Sequence, residues 1–222
     1  FRLSVLTPQA GVTVGFRSRE PVQTGVDFTN RLEVGRSLTN HVLLNGSGVA
    51  LGDVDGDGRC DVFLAGLGGG SALYRNLGDW RFPNSTASAF GSMTPFPGMD
   101  ATGSVLADID GDGDLDLLVN AIAGGTRAWR NDGTGRFSEA TAESGLGGRT
   151  GASSLALADV DGDGDLDLYQ VNYRSSTVRD EFQQRFEIKV VGGRPTVVSV
   201  NGRPATDPDL VGRFSVDAQG RV

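Results

Sequence analysis

Cysteine and histidine each occur once, as Cys60 and His41, and lysine once, as Lys189. One thiol cannot close an internal disulfide or build a cysteine-rich zinc site, and one imidazole leaves no histidine-based metal cluster. Glutamate is scarce, at 6 residues. No apolar run nears the roughly 18 residues of a membrane-spanning helix. No charged-then-apolar leader opens the sequence, and the start at Phe1 is compatible with a leader already removed. With 20 basic against 28 acidic side chains the formal charge is −8, so a groove for nucleic acid is not expected.

What is abundant is aspartate, at 22 residues, and glycine, at 34. Both disfavour helix interiors, so the 222 residues are expected to be strands and turns around a real core. Fourteen of the aspartates fall in three nine-residue windows, Asp53–Asp61, Asp108–Asp116 and Asp159–Asp167, spaced by 55 and 51 residues. Regular spacing on that scale indicates structural repeats. Short apolar runs flank each window: Val49–Leu51 and Val62–Ala65, Val105–Ala107 and Leu117–Val119, Leu155–Ala158 and Leu168–Val171. They are too short for helices and predict buried strands joined by the acidic loop.

A second pattern recurs twice, Leu73–Phe82 and Ala128–Phe137, each an aromatic-Arg-Asn-x-Gly segment that predicts a hairpin. Four strands in about 50 residues describe a blade, so the fold class expected is an all-β propeller of four-stranded blades, about four in this chain or part of a larger ring. The blades are placed at 47–102, 103–152 and 153–222, the last with an inserted hairpin near 175–203. Residues 1–46 are expected to hold strands of a preceding blade, at Gly25–Thr29 and His41–Leu44.

Crowding four or five carboxylates into one loop costs on the order of 1 kcal/mol per close pair, so a cation is expected in each. Calcium suits an all-oxygen, irregular site, with magnesium as runner-up. Counting each first aspartate as position 1, the side chains at positions 1, 3, 5 and 9 are Asp53, Asp55, Asp57 and Asp61; Asp108, Asp110, Asp112 and Asp116; and Asp159, Asp161, Asp163 and Asp167. Position 7, namely Arg59, Asp114 and Asp165, is expected to give a backbone carbonyl, the two aspartate side chains facing solvent. About three calcium ions are therefore expected. Position 12 is Leu64, Val119 and Gln170 rather than the bidentate glutamate of an EF-hand, and the flanks are strands, so a helix–loop–helix sensor is rejected. A phosphohydrolase nucleophile loop is disfavoured by the triplication and by the lone, distant Lys189. The cation Arg59 in the first loop predicts the weakest site there.

These loops and the two Arg-Asn-x-Gly segments resemble the FG-GAP/VCBS repeats of integrin-α-type propellers. The stretches Thr24–Thr29, Gly48–Gly52, Ala140–Gly145 and Val171–Arg174 are similar to the ASPIC/UnbV (cartilage acidic protein) family. That resemblance, over about residues 24–174, implies a seven-bladed, secreted or surface-exposed propeller with calcium held by the loop aspartates. The expected function is a non-enzymatic, calcium-stabilised scaffold or adhesion module outside the cytoplasm, the periplasm included. It would bind a protein or glycan, and further blades could lie outside this segment. The alternative is a propeller lyase or dehydratase acting on polysaccharide. Among single residues, Cys60 is expected to be a small buried apolar group and His41 a surface or hydrogen-bonded one. Tyr74, Trp80 and Trp129 are expected to pack between blades, and Arg75 and Arg130 to form structural salt bridges.

Overall fold

The computed structural model describes residues 18–92, 94–148, 151–175, 185–208, 210–217 and 222. They fall into two compact units, one from residues 1–33 and 43–175 and the other from 34–42 and 176–222. The fold is all-β, with only short helices among the described residues.

The first unit is built from three antiparallel sheets in chain order. Strands β1 (Val49–Gly52), β2 (Asp61–Leu64) and β3 (Ala72–Tyr74) make the first. Strands β4 (Ala101–Ala107), β5 (Asp116–Ala121), β6 (Gly125–Asn131) and β7 (Phe137–Glu139) make the second. The third has two strands, β8 (Gly151–Ala158) and β9 (Asp167–Tyr173). Each acidic window is the loop between the first and second strands of its sheet, in the same register: Gly52 faces Asp61, Ala107 faces Asp116 and Ala158 faces Asp167.

Among the described residues only the second sheet has the expected four strands. In the first, the segment returning after the Asn76 turn keeps part of the ladder, with Leu77 N–H donating to Arg81 O and Arg75 N–H to Pro83 O. Pro83 has no N–H to give back, and the pairing ends as one bridge between Tyr74 and Asn84. The two strands expected ahead of the first loop are also absent. Gly25, at φ 82°, terminates a one-turn helix (Pro21–Thr24) and leads into irregular chain. His41–Asn45 is a 3-10 helix, because Asn40 accepts the N–H of Val42 and the neighbouring Val42 and Leu43 are both buried, which an alternating strand does not allow.

First strands lie side by side: β4 packs against β1 on one side and β8 on the other. A Cβ on Gly48 would come within 2.7 Å of Gly103 Cα, so the approach of these two backbones needs glycine. Ser47 Oγ donates to Ala101 O at 2.5 Å and Thr102 Oγ1 to Ala152 O at 2.6 Å, continuing the contact from sheet to sheet. The core fills the space between the first and second sheets. Phe96, fully buried, meets Phe63, Phe90 and Trp129 edge-on at 5.6, 5.2 and 4.7 Å between ring centres. Trp129 thus packs between repeats as expected, but Trp80 does not: it is 60% exposed, with the Arg19 guanidinium 5.3 Å from its ring.

In the second unit, β10 (Phe186–Val191) and β11 (Arg194–Val200) form a hairpin over Gly192 and Gly193, extended by the short β12 (Arg203–Pro204). Phe186 meets Phe214 edge-on at 5.2 Å.

Phe96→Ala should cost about 3–5 kcal/mol in urea unfolding, the range for emptying a packed aromatic site. A loss below 1 kcal/mol would mean that the aromatic cluster does not join the two sheets. Tyr74 supplies a pH test. Its buried hydroxyl donates to Asp27 Oδ1 at 2.9 Å, and burial, then the Asp27 hydrogen bond and charge, push the phenol up from 10.0 to about 12. A phenol harder to ionise in the folded chain contributes its stability fully below pH 10, and that stability is lost as pH rises through 12. Unfolding measured at pH 9 and pH 12 should therefore show the advantage of wild type over Tyr74→Phe shrinking at the higher pH.

Candidate metal centres and their backbone straps

Each acidic loop folds around its first aspartate. Asp53 accepts the N–H groups of Asp57 (3.1 Å) and Gly58 (2.7 Å). Asp108 accepts those of Gly111 (2.8 Å) and Gly113 (3.0 Å), and Asp159 those of Gly162 (2.7 Å) and Gly164 (3.2 Å). The glycines at positions 4 and 6 all have positive φ, which lets the chain coil about that carboxylate. Position 5 takes the N–H of position 7 in every loop, at 2.9 to 3.0 Å. Desolvation pushes Asp53 up, but the N–H groups of Gly58, Asp57, Gly56 and Asp55 together outweigh it and hold the carboxyl below its ordinary value.

Position 9 works as a strap. Asp61 Oδ2 accepts the N–H of Val54 at 3.0 Å and its Oδ1 that of Asn76 at 2.7 Å; Asp116 likewise accepts from Ile109 (3.2 Å) and Asn131 (2.8 Å). Both carboxylates are buried. Desolvation raises their pKa values, the two N–H bonds oppose the rise, and the carboxylates at positions 3 and 5 add to it. Among the described residues Asp167 keeps only the equivalent bond from Val160 N–H, at 3.0 Å, and is exposed.

The structure brings three aspartates of each loop together, with one oxygen from each lying within 4.8 Å of the others: Asp53, Asp55 and Asp57; Asp108, Asp110 and Asp116; Asp159, Asp161 and Asp167. Asp61, Asp112 and Asp163 stand outside these trios. At position 7, the Asp114 carboxylate does not face solvent freely but leans on Gly133, whose missing Cβ leaves it room. Desolvation and then the surrounding Asp112, Asp108, Asp132 and Asp110 raise its pKa. Arg59 turns back, donating from Nε to Asn76 O at 2.9 Å and pairing with Asp57 at 2.5 Å. Cys60 is exposed rather than buried. Its counterpart Leu115 lies across Gly52 of the preceding repeat instead.

Arg75 and Arg130 do form salt bridges, and their partners are loop residues: Arg75 with Asp55 at 2.9 Å and Arg130 with Asp110 at 2.7 Å, both at position 3. The role of the neighbouring asparagines was not expected. Asn76 Nδ2 donates to Cys60 O at 3.0 Å. Asn131 Nδ2 donates both to Leu115 O, in its own loop, at 3.0 Å and to Val54 O, in the preceding loop, at 2.8 Å. Arg75 also reaches forward to Thr134 O in the second repeat's turn. The repeated Arg-Asn-x-Gly signature was the available signal for this linkage. Its contact with the acidic loop becomes visible only once strands pair.

A family model described as FG-GAP-like repeat matches residues 53–119 and 108–169. The chain belongs to the FG-GAP-like repeat family. Human cartilage acidic protein 1 is 27% identical over 169 residues, which are 74% of this chain and 24% of that protein. This agrees with the resemblance to the ASPIC/UnbV family. The chain therefore spans about a quarter of the length of this relative, and its FG-GAP-like repeats coincide with the acidic loops and their strands.

Asn131→Ala removes a buried side chain that ties two loops and should cost about 2–3 kcal/mol, against about 1 kcal/mol for the more exposed Asn76→Ala. Chemical denaturation of the two variants compares them directly. Equal losses would show that the bond to Val54 O carries no weight.

Proposed function

We propose that the chain is part of an extracellular binding scaffold whose FG-GAP-like repeats are held in shape by calcium. The observation carrying this reading is the triplicate gathering of carboxylate oxygens within 4.8 Å of one another. The fit to a hard cation has separate support. Asp55 Oδ1 is a buried oxygen with no hydrogen-bond partner among the described residues, although the other oxygen of that carboxylate pairs with Arg75. An all-oxygen donor set suits calcium better than a softer metal.

In this reading Asp53, Asp55, Asp57 and Asp61 hold the first ion, with the Arg59 carbonyl. Asp108, Asp110, Asp112 and Asp116 hold the second with the Asp114 carbonyl, and Asp159, Asp161, Asp163 and Asp167 the third with that of Asp165. The bound ion supplies positive charge and no reaction. Three divalent ions would bring the formal charge from −8 to −2. With free ion 100-fold above the dissociation constant, each site would add about 2.7 kcal/mol to folding stability. Millimolar calcium outside cells meets that condition at modest affinity, which supports an exported protein. The sheets β1–β3, β4–β7 and β8–β9 are successive blades of a propeller, a reading supported by the side-by-side first strands β1, β4 and β8. The scaffold presents its surface to a protein or glycan partner and needs no catalytic group.

The first loop binds most weakly, since Arg59 and Arg75 already pair with Asp57 and Asp55, whereas the second loop has only Arg130 and the third no ion pair among the described residues. Calorimetric titration should count about three ions, and a chelator should lower the melting temperature. Single Asp53→Asn, Asp108→Asn and Asp159→Asn variants should each remove one ion, the first removing the weakest. Identical melting with and without chelator would reject the calcium reading, and tightest binding at the first loop would reject the ordering.

A further inference from the structure

The chain has two tryptophans, and they are placed oppositely: Trp129 is buried in the aromatic core, whereas Trp80 is 60% exposed on the turn after Asn76 in the first repeat. That turn is tightly held. Leu77 N–H donates to Arg81 O and Arg81 N–H to Gly78 O, both at 2.9 Å, and Phe82 N–H donates to Thr24 O at 2.6 Å just behind it. Gly78, Asp79 and Trp80 have φ of 82°, 49° and 63° in succession. A positive φ strains a bulky side chain, whereas glycine adopts it freely. The second repeat closes its turn with the equivalent bond, Asp132 N–H to Arg136 O, and there the residue aligned with Trp80 is Gly135, at φ 73°. The first repeat therefore carries its exposed tryptophan at a position where the turn calls for glycine. Backbone strain that brings no burial in return is characteristic of binding sites.

We propose that Trp80 is the stacking platform of a glycan-binding site, taking the apolar C–H face of a neutral pyranose ring while Arg19, Asp79 and Arg81 hydrogen-bond its hydroxyls. The Arg19 guanidinium lies over the indole, 5.3 Å from the ring centre, yet most of the residue stays exposed, so the opposite ring face is open to a ligand. Arg19, Asp79 and Arg81 are themselves exposed. The guanidinium groups donate and the carboxylate accepts, the combination that sugar hydroxyls require. A neutral sugar is favoured over an acidic one because the chain carries a formal charge of −8. A protein partner fits less well. Leu77 is the only other apolar residue from Leu77 to Arg81, whereas the centre of a protein interface is an apolar patch sealed by further contacts. The proposal names a partner class and a contact for the binding-scaffold reading, on which it rests, and it uses none of the loop aspartates proposed as ion ligands.

The test titrates the full chain with hexasaccharides of glucose, mannose, galactose and N-acetylglucosamine while acrylamide quenching of tryptophan fluorescence is followed. Because Trp129 is buried, the quenching reports Trp80. At least one of the four sugars should bind saturably and shield the ring. Trp80→Gly gives the first turn the residue that the second already has, so it should melt within about 4 °C of wild type or above it. The same variant should bind that sugar about tenfold or more weakly in calorimetry. A larger fall in melting temperature would make the ring a structural clamp on Arg19 and overturn the proposal. A smaller loss of binding would overturn it too, moving the glycan site elsewhere and leaving the scaffold reading intact. No shielding by any of the four, the result a protein partner predicts, would also overturn it. The scaffold's calcium dependence is judged separately by the melt in chelator, where Trp80→Gly should behave as wild type does.

Discussion

A buried carboxylate that must accept backbone N–H groups from two separate segments constrains the rest of the first and second repeats. Asp61 and Asp116 each close the acidic loop onto its own second strand and clamp the following turn to the same point. Burial would otherwise penalise such a charge heavily, and paired N–H donors are what make it tolerable. The strand after the loop, the turn after the third strand and the loop itself are thereby fixed against one another. The loop's geometry is therefore largely set by the backbone.

The same logic explains why neighbouring repeats behave as a connected array. Asn131 holds Val54 O and Leu115 O at once, Arg75 spans from Asp55 to Thr134, and Leu115 covers Gly52. Each of these groups is local in sequence to one repeat and bonded to another. In repeat proteins such interface terms supply much of the stability that a single unit lacks. They also set up a gradient along the unit: the second sheet, flanked on both sides, has a wholly buried β5, whereas β9 is mostly exposed.

Much of this was legible in the sequence. Spacing located the three loops, and alternation of apolar runs with glycine and aspartate located the strands flanking them. The Arg-Asn-x-Gly signature marked the turns of the first two repeats. Its misreadings have specific causes. His41–Leu44 carries strand-like apolar residues, but Asn40 caps a tight helical turn there. The returning strand of the first repeat fails at one residue, Pro83. Cys60 aligns with two leucines in sequence, yet burial there depends on whether a neighbouring sheet is present to cover the position.

The chain's composition and periodicity alone determined that it is an array of strand-rich repeats with carboxylates concentrated in three equivalent turns, because those properties follow from local chemistry and fixed offsets. Only the tertiary structure decided which aspartates gather, which are buried, and that Asn131 and Arg75 reach across to a different repeat. Three nearly identical loops differ in burial and ion pairing because those quantities are set by groups on later strands and in neighbouring repeats, such as Arg75 and Arg130 beside the position 3 aspartates and Asn131 beside Val54 O, and such groups meet the loops only after the strands pair and the sheets pack.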